Sequence, residues 1–101
     1  AALALWEAAL QSCAAVHCIR IDDPTGNPLQ RLRVRLLPDS GWSARSLADA
    51  LAAGTPSVRV RDYQTDLGHI DLDPCNLHDG EAQIVAHRLL ASLQSVPPTV
   101  N

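Results

Sequence analysis

Leu32-Arg33-Val34-Arg35-Leu36 alternates apolar and charged residues without a break. This is the period-two pattern of a strand with one face in a core and the other turned away from it. A helix would need apolar residues three and four apart, so the stretch reads as a strand with Arg33 and Arg35 on its polar face. Upstream, Val16-His17-Cys18-Ile19-Arg20-Ile21 is also strand-like, with His17 expected to be packed within it. Asp22-Asp23-Pro24-Thr25-Gly26-Asn27-Pro28 supplies the turn residues between the two. Before them, residues 2–14 place Leu3, Trp6, Leu10 and Cys13 at helical spacing.

Downstream of the strand, Pro38-Asp39-Ser40-Gly41 ends the extended run, and Ser43 is placed to cap a helix over residues 44–53. Its apolar stripe is Ala44, Leu47, Ala48 and Leu51, with Gly54 positioned for a left-handed C-terminal cap and Pro56 blocking continuation. Val58 and Val60 alternate with Arg59 and Arg61 in a third strand, and Ile70 and Leu72 alternate with Asp71 and Asp73 in a fourth. Asp79 can cap a last helix carrying Ala82, Val85, Ala86, Leu89 and Leu93, which Pro97-Pro98 stops. The expected fold class is therefore α+β, a mainly antiparallel sheet of about four strands with helices on its one apolar face. Residues 1–96 read as a single small domain and 97–101 as a tail. An opening without Met that runs straight into a helical pattern suggests a piece of a longer chain.

All eight cationic residues are Arg, so the chain has no ammonium side chain to act as nucleophile or base. A net charge of −3 without any basic run argues against nucleic acid as a partner. No stretch approaches the ~18 apolar residues of a membrane span. Cys13, Cys18 and Cys75 are odd in number and irregularly spaced, which suits small core residues in a reducing, cytoplasmic setting.

Arg31, Arg33 and Arg35 at period two, with Arg59 and Arg61 on another strand, would project five guanidinium groups from one sheet face. Such groups can grip phosphate or carboxylate bidentately. For the first three, the plainer reading is a solvated or interdomain face balanced by Asp22, Asp62, Asp66, Asp71 and Asp73. His69, Cys75 and His78 lie close together, yet a zinc site wants paired ligand motifs and no second pair exists. Asp71 and Asp73 share a face, as a general acid–base pair would. Neither a nucleophile motif nor a glycine-rich phosphate loop accompanies them.

The stretch from Thr55 to Leu93 carries a more specific signal. Thr55-Pro56-Ser57-Val58-Arg59-Val60-Arg61 precedes Ile70-Asp71-Leu72-Asp73-Pro74-Cys75-Asn76-Leu77. Asp79-Gly80-Glu81 and an amphipathic helix with Val85, Ala86 and Leu89 follow. In order and spacing this resembles the C-terminal end of selenocysteine-synthase-like, fold-type I pyridoxal-phosphate proteins. Within that group it looks closest to the members similar to D-glucosaminate-6-phosphate ammonia-lyase. The match covers roughly two-fifths of the chain well.

The resemblance implies a small domain that packs on a large domain of the same chain holding pyridoxal phosphate and its Lys. It also implies a small-molecule substrate, a lyase or transferase reaction on an amino acid or amino-sugar acid, and a homodimer or larger assembly. By position Arg61 inherits the role of gripping the substrate carboxylate, with Arg59 on the same face as second candidate. The selenium-transferring members tend to carry a basic residue where this chain has Asp73-Pro74, which favours small-molecule chemistry over tRNA processing. The competing reading is a non-catalytic, ferredoxin-like domain that binds an effector or mediates assembly, which the same order of elements permits.

Overall fold

Alternation in the two central stretches is realised as hydrogen-bonded pairing. The computed structural model describes residues 2–22, 30–54, 57–74 and 80–94. Strands β1 (Val16–Ile21), β2 (Arg31–Leu36) and β3 (His69–Leu72) form one antiparallel sheet in the order β1-β2-β3. Helices α1 (Ala2–Leu10), α2 (Ala44–Ala53) and α3 (Glu81–Gln94) complete the α+β fold, with short 3-10 turns at Pro38–Ser40 and Thr65–Leu67. The register pairs Cys18 with Val34 and Val34 with Ile70, so these side chains share one face.

That face is the core. Leu32, Val34, Leu36, Ile70 and Leu72 are buried against Trp6 and Leu10 of α1, Leu47 and Leu51 of α2, and Ala86 and Leu89 of α3. Each fully buried aliphatic side chain contributes about 1.5–3 kcal/mol, and with no Phe or Met available the chain builds this layer from Leu, Val, Ile and Ala. Trp6 supplies the large piece. It is buried, and its indole Nε1–H donates to the Ala82 carbonyl at 3.0 Å, tying α1 to the first turn of α3. The α1 helix stops at Leu10, short of the expected residue 14, because the Cys13 N–H turns back onto the Leu10 carbonyl at 3.0 Å.

Helix α2 matches the expected residues 44–53, and its N-terminus shows the reciprocal cap that Ser43 promised. The Ser43 hydroxyl accepts from the Ser46 N–H while Ser46 Oγ accepts from the Ser43 N–H. Its C-terminus departs from expectation: Gly54 sits at φ −77°, ψ 176°, extended rather than left-handed. The α2 end is closed by neighbours instead. Arg88 Nη2 donates to the Ala50 carbonyl at 3.3 Å, the Val58 N–H to Leu51 at 2.8 Å, and the Ser57 hydroxyl to Ala52 at 2.6 Å. These satisfy terminal carbonyls that have no partner within the helix and set a cation at its negative end. A Cβ at 54 would meet the guanidinium end of Arg88, which would have to swing aside from its present course.

The same bonds explain why the expected strand over Val58–Arg61 is reduced to one bridge. With its N–H committed to α2, Val58 drops its side chain into the core, and only Arg61 reaches β3. There it exchanges two backbone bonds with Asp71, at 2.9 and 3.1 Å. Asp79 and Pro97-Pro98, expected to bound α3, lie outside the described residues. Among the described residues, no helix is long and apolar enough to cross a membrane.

Candidate functional site

The sheet face opposite the helices carries the chain's polar groups in three rows. Strand β1 contributes His17, Ile19 and Ile21; β2 contributes Arg35, Arg33 and Arg31 directly opposite them; β3 contributes His69 and Asp71. His17 is exposed rather than packed, because its pairing with Arg35 puts it on this face and not under the helices.

At the centre, Arg33 and Asp71 are cross-strand partners. Arg33 Nε lies 3.0 Å from Asp71 Oδ1 and Nη2 lies 3.2 Å from Oδ2, a fork on a carboxylate that is 1% exposed. This bond raises the Arg33 pKa further above its ordinary value. Asp73, just beyond β3, sits between two guanidinium groups. Arg61 reaches its Oδ2 through Nε at 3.3 Å and Nη2 at 3.0 Å, and buried Arg31 Nε approaches the same oxygen at 3.5 Å. Arg31 Nη1 also donates to the Tyr63 hydroxyl at 2.9 Å. Both carboxylates are thus engaged by arginine, the charge-balanced face anticipated for Arg31 and Arg33, and Asp71 and Asp73 are ion-pair partners of the sheet. Arg35 and Arg59 are exposed and make no ion pair among the described residues.

Sequence reading did not foresee the segment from Tyr63 to Leu67 lying along this face. Gly68 makes it possible: at φ 87° it takes the left-handed conformation that ends the 3-10 turn, donating its N–H to the Thr65 carbonyl. The chain then enters β3 at His69, whose Nε2 lies 3.0 Å from Gln64 Oε1. His69 is buried, and burial first, then the positive charges of Arg33 and Arg35, hold its pKa below the ordinary 6.5. Below that value the unfolded chain takes up a proton that the folded chain resists. The His69 contribution to stability is therefore complete above pH 6.5 and declines as pH falls below it. Thermal unfolding of His69→Asn should lose this part of the pH dependence below pH 6.5. An unchanged slope would mean that the ring titrates freely.

Among the described residues no cluster of three or more His, Cys, Asp or Glu is arranged to hold a metal ion; Cys75 and His78 lie outside them. Cys13 and Cys18 are free thiols packed beside the core. Burial, with Cys13 and Glu7 nearby, pushes the Cys18 thiol up to about 11, so it stays protonated and a poor nucleophile. Beside Arg59 the chain encloses only about 40 Å³, between Trp6, Val60, Leu72 and Val85. A substrate held there would need most of its walls from other protein. A wider concavity of about 680 Å³ lies on the open sheet face.

No family model matches the chain. Over 65 residues it is 37% identical to the 5'-C-glycyluridine monooxygenase-decarboxylase of a Streptomyces species, covering 62% of this chain and 16% of that protein. Over 83 residues it is 29% identical to the D-glucosaminate-6-phosphate ammonia lyase of Salmonella typhimurium, covering 78% of this chain and 22% of that protein. A solved structure of D-glucosaminate-6-phosphate ammonia-lyase superposes on 88% of this chain with a TM-score of 0.75 and 26% identity, over 25% of its own length. The chain therefore spans a quarter or less of the proteins it matches. In sequence and in fold alike, this chain is similar to a segment of D-glucosaminate-6-phosphate ammonia-lyase, the likeness that the order of motifs between Thr55 and Leu93 points to.

Proposed function

We propose that this chain is the small domain of a pyridoxal-phosphate-dependent lyase or transferase acting on an amino acid or amino-sugar acid. The observation that carries the reading is the joint likeness, in sequence and in fold, to D-glucosaminate-6-phosphate ammonia-lyase. The cofactor itself does not fit this chain. With no Lys among its 101 residues, the chain has no amine to take the cofactor's aldehyde, so the cofactor belongs to the large domain of the parent protein. When bound there, pyridoxal phosphate supplies the electron sink for bond cleavage at the substrate's α-carbon.

The part left to this chain is binding and orientation. Arg61 is the candidate grip for the substrate carboxylate. Its backbone is fixed to β3 by the paired bonds with Asp71, and its half-exposed side chain is steadied by Asp73. A planar fork held in this way presents donors that match a carboxylate. Arg59, two residues earlier and exposed, is the second candidate.

The test uses the purified parent protein. A visible band that disappears with borohydride identifies a Lys-bound cofactor. Arg61→Ala should then raise KM about tenfold or more with a smaller change in kcat, and Arg61→Lys should recover part of it. Absence of the band after reconstitution would leave the chain as a binding or assembly domain. A band together with an unchanged KM would remove Arg61 from the substrate site while leaving the enzyme reading intact.

A further inference from the structure

The concavity lies on the open sheet face, and Arg61 is not among its lining residues. Arg33 and Arg35 of β2 and His69 of β3 line it, with Ile21, Tyr63 and Leu67 as apolar walls. We propose that it binds a phosphate-bearing small molecule, with the phosphate on Arg35 and Arg33 and the organic part against Tyr63 and Leu67.

Three observations converge on this. First, Arg35 is the exception in its row. Arg31 and Arg33 are matched to Asp73 and Asp71, while Arg35 has neither hydrogen bond nor ion pair among the described residues. Second, Arg33 is already locked. Asp71 takes Nε and Nη2 and Gln64 shares Nη2, which leaves Nη1 without a partner among the described residues. Residues two apart on one strand face stand about 7 Å apart, a spacing at which a tetrahedral phosphate can accept from both guanidinium groups. A carboxylate is matched by a single fork.

Third, His69 leaves an unsatisfied polar atom at this place. Its Nδ1 is buried without a hydrogen-bond partner, in a residue that lines the concavity and is 3% exposed. Gln64 Oε1 accepts from Arg33 and therefore also from His69 Nε2–H, so Nδ1 is a bare acceptor. A ligand hydroxyl or a protonated phosphate oxygen is the group that would complete it.

Size agrees. About 680 Å³ is far more than bare phosphate needs and lies in the range of small-molecule sites. Tyr63 and Leu67 are 56% and 57% exposed, two of the four large apolar residues left open on the described surface. The charged groups around His69 are Arg33, Arg35, Asp71 and Asp66, and Asp22 also lines the concavity. Asp71 is matched by Arg33, Arg35 makes no ion pair among the described residues, and the Asp22 carboxylate accepts from Gln30 Nε2 at 3.2 Å.

The experiment is a titration of the full chain, labelled with 13C-histidine, using inorganic phosphate, phenyl phosphate and benzoate in turn. Saturable shifts of the His69 ring signals at millimolar phosphate are expected, with the exposed His87 on α3 unmoved. Phenyl phosphate should bind more tightly than inorganic phosphate. Arg35→Ala should weaken both about tenfold or more, the weight of one charge-assisted contact, while Arg20→Ala and Arg61→Ala leave them unchanged. No saturable shift, or a shift indifferent to Arg35→Ala, overturns the site. Benzoate binding as well as phenyl phosphate overturns the phosphate assignment, and phenyl phosphate binding no better than phosphate overturns the apolar wall.

Discussion

Trp6→Ala is expected to cost about 4 kcal/mol of folding stability, the middle of the range for removing a buried aromatic side chain. Trp6 is 1% exposed, fills the space between α1 and α3, and holds the Ala82 carbonyl through its indole nitrogen. A chain of 101 residues has roughly 5–15 kcal/mol in total, so this one change should lower the melting temperature by about 20 °C or prevent folding. Trp6→Phe separates the two contributions. It keeps most of the buried ring and gives up the hydrogen bond, and should cost about 1–2 kcal/mol. Urea unfolding of the three proteins measures both differences. A loss of less than about 1 kcal/mol for the alanine variant would show that α1 is not docked on α3 as described.

Asp71→Ala is the second large effect, at about 3 kcal/mol. Removing one member of a buried pair leaves the other charge uncompensated, which costs more than the pair itself contributes. The value is set below the top of the usual range because the Arg33 side chain keeps 23% of its exposure and retains some water. The double replacement Asp71→Leu with Arg33→Met should fall within about 1 kcal/mol of the original protein, since neither charge is then stranded. If the single change proved no more costly than the double one, Asp71 would not be supporting Arg33. The ion pairs of Arg45 with Asp62 and of Arg20 with Glu7 are exposed on both sides, so their loss should matter far less than that of Asp71.

What the sequence made legible follows the physics of each signal. Period-two alternation says which residues share a face, and β1 and β2 appear where it does, with Arg31, Arg33 and Arg35 together on the polar side. Ser43 is legible because a cap bond spans only three residues. The strand at Val58–Arg61 failed because alternation does not name the hydrogen-bond partner, and the Leu51 carbonyl takes the Val58 N–H before the sheet can. His17 failed for the same reason: its face depends on pairing with Arg35, eighteen residues along the chain. The grouping of Gln64, Arg33 and His69 was hidden because it needs the turn at Gly68 and the register of β3 against β2 at once. A left-handed glycine placed directly before a strand was the available clue.

Arg88 lying across Gly54 has a consequence for descent. A side chain at 54 and the present course of Arg88 compete for one volume, so a change at 54 is felt first as a displacement of Arg88. Losing Arg88 uncovers the α2 carbonyls before it makes room for anything at 54, and gaining a methyl group at 54 expels Arg88 first. In relatives that keep this junction, glycine at the first position should accompany arginine at the second more often than chance alone gives.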